Sequence, residues 1–409
     1  MKFLNPHLQE AWNTVMTRYF HPKTELFYEF TVDEETPAWS HLPTLQDIRN
    51  SDPNPCGWGT GMEDSVMNTA ITLDTMVEVA PFFLAPFVRT TAVRCLRGLL
   101  RCVKSSRDPG FVARSVSPED GKTHYIESSR DQYTHWVYSA LRVYDTNIPD
   151  PRQQRGIAKA LVKIAEKAKR DVTETNDFHL LREDGTIGCF CKMWGEDLGT
   201  HEHLRLPMIY LAAYHVSNDP DWLDLYHKYR DIALERTLPH DPSKMRCFGS
   251  LQLQCSLRCL FDYDPDPVFQ VKLLGLMRKL ARYGEEKALE NAEIWTQPDK
   301  FDVVHYRFHP WNEVEPLRQG VINGYLYNNP AQSERKDNPA FYPIREICEG
   351  IFLATTCPDY PLPKSLSDAV EKVAATIDFK KYSSVYLPLY LCCAHLMCLR
   401  HLMTNDITF

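Results

Sequence analysis

Glycine is scarce in this chain, 17 of 409 residues, and with 44% hydrophobic and 24% charged residues the sequence lies outside the fibrous and disordered classes. A basic excess is also missing. The 46 Lys and Arg residues are outnumbered by 54 Asp and Glu, the formal charge is -8, and the cations are scattered, which excludes a polyanion-binding surface and nucleic acid as a partner. No apolar run reaches the roughly 20 residues of a membrane span. The longest, Val385 to Leu399, is broken by Pro388 and His395, so no membrane partner is expected. The start, MKFLNPHLQEAW, turns polar by Asn5 and Pro6 and lacks the apolar core of a signal peptide, so a cytoplasmic location is the expectation. Neither a CxxC pair nor an HExxH motif occurs, and the 13 cysteines are odd in number. Disulfide framework, zinc cluster and metal cofactor are all excluded by that pattern, and the cysteines read as small core residues, with Cys189 and Cys191 set in a loop.

What is present is helical periodicity of two kinds. Ile157, Leu161, Ile164, Ala165 and Ala168 repeat on one face between charged residues, as do Leu366, Ala369, Val370 and Val373. Other segments, such as Met67 to Val79 and Leu204 to Val216, are apolar nearly all round and belong to helices covered on every side. The two kinds alternate: buried helices near 63–79, 127–145, 202–217, 248–263, 341–356 and 383–402, one-faced helices near 84–104, 151–175, 219–236, 265–285 and 364–378, and an N-terminal helix at 5–20. Length alone suggests two or three domains at about 150 residues each. Twelve alternating helices instead predict an all-α fold in one domain, 1–409, an (α/α)6 toroid of six hairpins.

The connections fall into two classes. Short turns such as Asn147 to Pro151 and Asn218-Asp219-Pro220 carry the proline that opens the next helix, whereas long loops cover 21–62, 105–126, 176–201 and 286–340. All the long loops precede buried helices, so they crowd one rim, where free helix N–H groups favour anionic ligands. Four clusters lie on that rim. Cys56-Gly57-Trp58-Gly59-Thr60-Gly61-Met62-Glu63-Asp64 offers Glu63 and Asp64 as catalytic acids and Trp58 as a flat face for substrate, although a glycine turn and two dipole partners would look the same. Glu127, Arg130, Asp131 and Thr134 form a polar stripe on a buried helix, with Tyr133 and His135 beside it. Buried charges need partners or a purpose, an internal Arg130 ion pair being the structural reading and a cleft role for Asp131, Arg130 and His135 the functional one. Trp194 and the run His201-Glu202-His203 supply possible hydrogen-bonding groups, since histidines two apart point to different faces and do not form a metal site. His305, Tyr306, Arg307 and Trp311 interleave aromatic and polar groups as sugar sites do, or form a small core of their own loop, and Arg345 opens the next buried helix. Arg246 and Tyr382 are further candidates at other helix starts.

The layout resembles the (α/α)6-toroid carbohydrate-active enzymes, in particular the unsaturated glucuronyl hydrolases and related gut-bacterial glucuronidases. In those enzymes two acids at successive inner-helix starts serve catalysis, and the resemblance implies that role for Asp64, or Glu63, and for Asp131, one repeat apart. The sequence around Arg130-Asp131-Gln132 does not reproduce the family motif. The expected activity is hydrolysis of a glycosidic bond without a cofactor, with Asp131 as general acid, Glu63 or Asp64 as the second group, and His135 and His203 tuning them. Arginines on the rim favour a carboxylate-bearing sugar, a uronic acid, as substrate. Two alternatives stand beside it: a polysaccharide lyase or epimerase with a Tyr or His base and an Arg on the carboxylate, and a sugar-binding toroid without catalysis. The oligomeric state is left open, a homodimer included.

Overall fold

The computed structural model describes residues 5–83, 86–295, 311–313, 319–322, 325–328, 341–380 and 382–405. Among them the chain is all-α apart from one two-stranded antiparallel hairpin, β1 (Gln319–Ile322) with β2 (Tyr325–Asn328). The helices are α1 (Pro6–Arg18), a short α2 (Leu45–Asn50), α3 (Ser65–Val79), α4 (Pro86–Lys104), α5 (Arg130–Tyr144), α6 (Pro151–Asp171) and α7 (Arg205–Ser217). They continue as α8 (Pro220–Thr237), α9 (Cys247–Tyr263), α10 (Pro267–Trp295), α11 (Phe341–Thr356), α12 (Lys364–Ala374) and α13 (Tyr386–Asn405). None of the described helices is long and apolar enough to cross a membrane.

Proline sets the starts of α1, α4, α6, α8 and α10, where a missing N–H costs nothing because the first turn has no partner for it. Asn5, Asp150 and Asp219 cap three of these with side-chain oxygens that accept first-turn N–H groups. The two kinds of burial are real. In α3 only Asp74 and Glu78 escape burial, while α6 buries one face through Ile157, Leu161, Ile164, Ala165 and Ala168. The all-round helices contact one another in order: α3 with α5, α5 with α7, α7 with α9, α9 with α11, α11 with α13, and α13 again with α3. α4 lies on α3, α6 and α8 on α7, α10 on α9 and α11, and α12 and α1 on α13.

α10 and α11 cross in close contact at two glycines. A Cβ at Gly284 would strike the Gly350 carbonyl oxygen, and one at Gly350 would strike the Gly284 carbonyl oxygen, so each helix needs the other's missing side chain. Gly284→Val is expected to cost about 3 kcal/mol by overpacking, read as a lowered denaturant midpoint. An unchanged midpoint would mean that the helices part without penalty.

Several boundaries differ from those the periodicity predicts. α3, α5, α7 and α13 each begin two or three residues later than expected, because Glu63-Asp64, Glu127 to Ser129, Glu202 to Leu204 and Ser383 to Val385 belong to the turns before them. α10 runs on to Trp295, ten residues beyond the expected end at 285. Its charge-dense last turns read as loop, yet they bury Ala288, Ala292 and Trp295 on one face. β1 and β2 lie within the stretch expected to be loop. No cysteine is disulfide-bonded among the described residues, and twelve of the 13 are buried.

Candidate functional site

The N-terminal ends of α3, α5, α7, α9, α11 and α13 meet at one cavity of about 590 Å³. Its lining divides by charge. Glu63, Asp64, Asp131 and Arg114 stand where α3 and α5 begin, with Tyr386 of α13 beside them. Arg130, His201, Glu202, Arg205, Arg246 and Arg345 line the side formed by α5, α7, α9 and α11. Phe30, Trp58, Phe190 and Phe248 supply apolar faces, Trp58 and Phe190 meeting edge to face at 5.8 Å.

The acid wall is built by the turn before α3. Gly57 has φ +67°, and a Cβ there would run into the Tyr125 ring, so only glycine fits both the backbone and the space. That turn carries the Gly59 N–H to the Glu63 carboxylate and the Gly61 carbonyl to the Glu29 N–H, at 3.1 Å. Asp64 is fixed on both oxygens: Oδ1 accepts from Arg114 Nη2 at 3.2 Å and Gln132 Nε2 at 2.8 Å, and Oδ2 from the Tyr386 hydroxyl at 2.5 Å. Arg114 also donates to the Glu63 carbonyl at 2.6 Å, which ties the loop before α5 to the start of α3. Burial opposes the Arg114 charge, but Asp64, Asp131 and Glu63 around it outweigh that and hold it protonated.

The carboxyls differ in environment. Burial, with the Asp64 charge beside it, pushes Glu63 up to about 7. Burial also raises Asp64, helped by the charge of Asp131. Asp131 goes the other way: burial favours its neutral form, but Arg114, the Ser129 hydroxyl that donates to it, and His135 hold it below the ordinary range.

On the other side Glu202 gathers two arginines, Arg130 Nη1 at 2.8 Å and Arg205 Nη1 at 3.0 Å, and accepts the Gly199 N–H at 2.9 Å. Arg205 is 2% exposed and donates further to Thr134 at 3.1 Å and to Gln252. Arg345 bonds Glu349 at 2.5 Å and lies over the Tyr386 ring at 4.6 Å. His201 lies 3.8 Å from Glu202, and burial with Arg205 nearby presses its pKa to about 4.

Of the residues singled out in the sequence, Glu63, Asp64, Asp131, Trp58, Arg130, His201 and Arg345 line this cavity together, as does Arg246. Tyr133, His135, Trp194 and His203 do not. Tyr133 is buried with its hydroxyl at the Val112 N–H, 3.2 Å away. His135 sits one turn deeper on α5, in a separate void of about 20 Å³ with Asp74, Tyr138 and Cys255, and burial presses its pKa to about 4. Trp194 packs edge to face on His203 and under Arg236, away from the lining. Glu127 precedes α5 and is locked to Arg182 at 2.6 Å, so the stripe it was expected to share with Asp131 is not a helix face. Tyr382 is buried and its carbonyl accepts the Tyr19 hydroxyl. His305, Tyr306 and Arg307 lie outside the described residues, and Trp311 falls in a short turn, Trp311–Glu313, that is not part of the described lining.

Sequence reasoning missed Glu29, Arg114, Gln132 and Tyr386 as parts of the site. Glu29 had a signal: a carboxylate inside the apolar run Leu26-Phe27-Tyr28-Glu29-Phe30. Arg114 and Tyr386 had none, since a loop arginine and a tyrosine in an apolar helix carry no local mark. Among the described residues no group of three or more His, Cys, Asp or Glu is placed to hold a metal ion. No protein-family model matches the chain and no curated protein matches it in sequence, so the reading of this cavity rests on its own residues.

Proposed function

We propose that the chain is an (α/α)6 toroid and a glycoside hydrolase that removes a uronic acid residue by paired-carboxylate catalysis. The toroid reading is supported by six all-round helices whose contacts run in order and close from α13 to α3, with amphipathic helices outside them. One observation carries the activity: the cavity at the six helix starts holds carboxyls whose environments push their proton affinities apart, Asp131 down and Asp64 and Glu63 up. Glycosidic hydrolysis needs that split, an acid that keeps its proton for the leaving oxygen and a carboxylate that attacks or activates water. The roles so assigned are the reverse of those expected from sequence: Asp64 is the acid, and Asp131 the base or nucleophile. Asp64 is preferred over Glu63 because the charge of Asp131, with which it lines the cavity, acts on it directly.

The substrate class follows from the facing side. Arg130, Arg205, Arg246 and Arg345 line it against one lining carboxylate, Glu202, so its balance is positive. A sugar carboxylate fits there, since guanidinium groups grip carboxylates in a planar fork. Trp58 and Phe190 offer faces for the pyranose ring. A lyase or epimerase would need a His or Tyr base; Tyr133, His135 and His203 stand away from the cavity, whereas His201 and Tyr386 line it, so the product formed separates the two chemistries. Aryl uronosides are the test. Hydrolysis of a glucuronide is expected to exceed that of the matching glucoside by about 100-fold in kcat/KM, the site being built to pair a carboxylate. A product with a new conjugated double bond would favour elimination instead, and binding without turnover the non-catalytic reading.

A further inference from the structure

Glu29 is fully buried, in the loop after α1 and next to Phe30 of the cavity lining. Its carboxyl accepts the backbone N–H of Asp64, and its Oε2 lies 3.2 Å from the Tyr386 hydroxyl, which also reaches Asp64 Oδ2 at 2.5 Å. The Glu63 carboxyl adjoins it, and burial and the charge of Glu63 disfavour ionisation of Glu29. Two adjoining buried carboxyls repel one another unless one of them carries a proton. Charge counting gives the same answer. Around this point stand Glu29, Glu63 and Asp64, with Arg114 the one cation in direct contact with the group, so three ionised carboxylates would leave two buried negative charges uncompensated. Tyr386 has one hydroxyl hydrogen and can donate it to Asp64 or to Glu29, not to both at once.

We propose that Glu29 is a positioning residue that keeps a proton within the Glu29–Glu63 pair and, through Tyr386 and the Asp64 N–H, holds Asp64 in place as the acid. This rests on the hydrolase reading above. The groups facing Glu29 are Glu63 and Asp64 from the turn before α3, Arg114 from the loop before α5 and Tyr386 from α13, with Arg345 of α11 stacked on the tyrosine. The proton stays inside the pair during turnover; no bond to substrate is made by Glu29.

Glu29→Gln is the direct test, because an amide keeps a donor and an acceptor in the same place. At neutral pH the infrared C=O stretch of a protonated carboxyl is expected in the native protein and reduced in the variant. On a uronoside, the alkaline limb of the kcat/KM profile is expected to move down by about one pH unit, because the pair can no longer reach the second negative charge that, as pH rises, helps Asp64 keep its proton. Tyr386→Phe should move that limb the other way, since it removes a donor that stabilises the Asp64 carboxylate. A merely structural glutamate would lower activity equally at all pH values and leave both limbs in place. An unchanged infrared band, or unmoved limbs in an active enzyme, would overturn the proposal. Reduction of the band in Glu29→Gln with no hydrolysis of any uronoside by the native protein would uphold the shared proton and reject the hydrolase reading, so the two failures are distinct.

Discussion

Asp131→Asn is expected to lower kcat on a uronoside on the order of 10³-fold, with a small change in KM and a folded protein. The side chain sits at the first turn of α5 and is held ionised by Arg114 and by the Ser129 hydroxyl it accepts, against the burial that would neutralise it. An amide of the same shape can still accept from Ser129, so the local fold has no reason to change, but it can neither attack an anomeric carbon nor take a proton from water. Asp64→Asn should give a loss of the same order, and the two variants should differ in pH dependence. Removing the base takes away the acid limb of the profile, and removing the acid takes away the alkaline limb. A leaving group that departs without protonation separates them further: it restores much of the bond-cleaving step in Asp64→Asn and none of it in Asp131→Asn. Equal activity of Asp131→Asn and the native enzyme would reject the paired-carboxylate mechanism outright.

How far this site was legible in the sequence depended on whether a residue's neighbours were local. Glu63, Asp64 and Asp131 stand out because they begin helices whose remaining faces are apolar, so their charge had to face something other than packing. Trp58 could be read from the glycines around it, whose turn projects it away from the core. Helix starts opened by proline were legible to within two residues, and at Pro151 to the residue, because the ring itself dictates the first turn. The starts of α3, α5, α7 and α13 drifted by two or three residues, because the polar residues there belong to turns that only long-range partners define. Arg114 partners Asp64 across 50 positions and Tyr386 reaches it across 322, and no periodicity carries that information. His135 shows the converse error. Its spacing from Asp131 suggested shared work, but one helical turn was enough to sink it below the cavity floor.

Glu202→Ala is expected to destabilise the fold by about 3 to 5 kcal/mol, the largest stability effect of any single substitution at the cavity. The carboxylate is the counter-ion of Arg205, whose remaining partners, Thr134 and Gln252, are neutral and cannot compensate a guanidinium that is 2% exposed. Arg130 can turn to water, its side chain being 28% exposed, so the cost falls on Arg205. Removing both ends of the pair should therefore recover much of the loss: in Glu202→Leu with Arg205→Met no charge is stranded, and apolar groups of similar volume fill the space. Linkage gives a second signature. Burial would raise the Glu202 pKa, but Arg205, Arg130 and His201 outweigh it and hold it below the ordinary value, so its contribution is fully present at neutral pH and disappears as pH falls through the folded-state value. Urea midpoints measured from neutral to acid pH should fall for the native protein more steeply than for Glu202→Ala, and the two should converge at the acid end. Parallel lines would place the stabilising charge elsewhere. The same Glu202 neutralises part of the arginine side that is proposed to take the substrate carboxylate. Glu202→Gln, which keeps the shape, is therefore expected to lower KM for a uronoside even as it weakens the fold, as a wall that gains one net positive charge must.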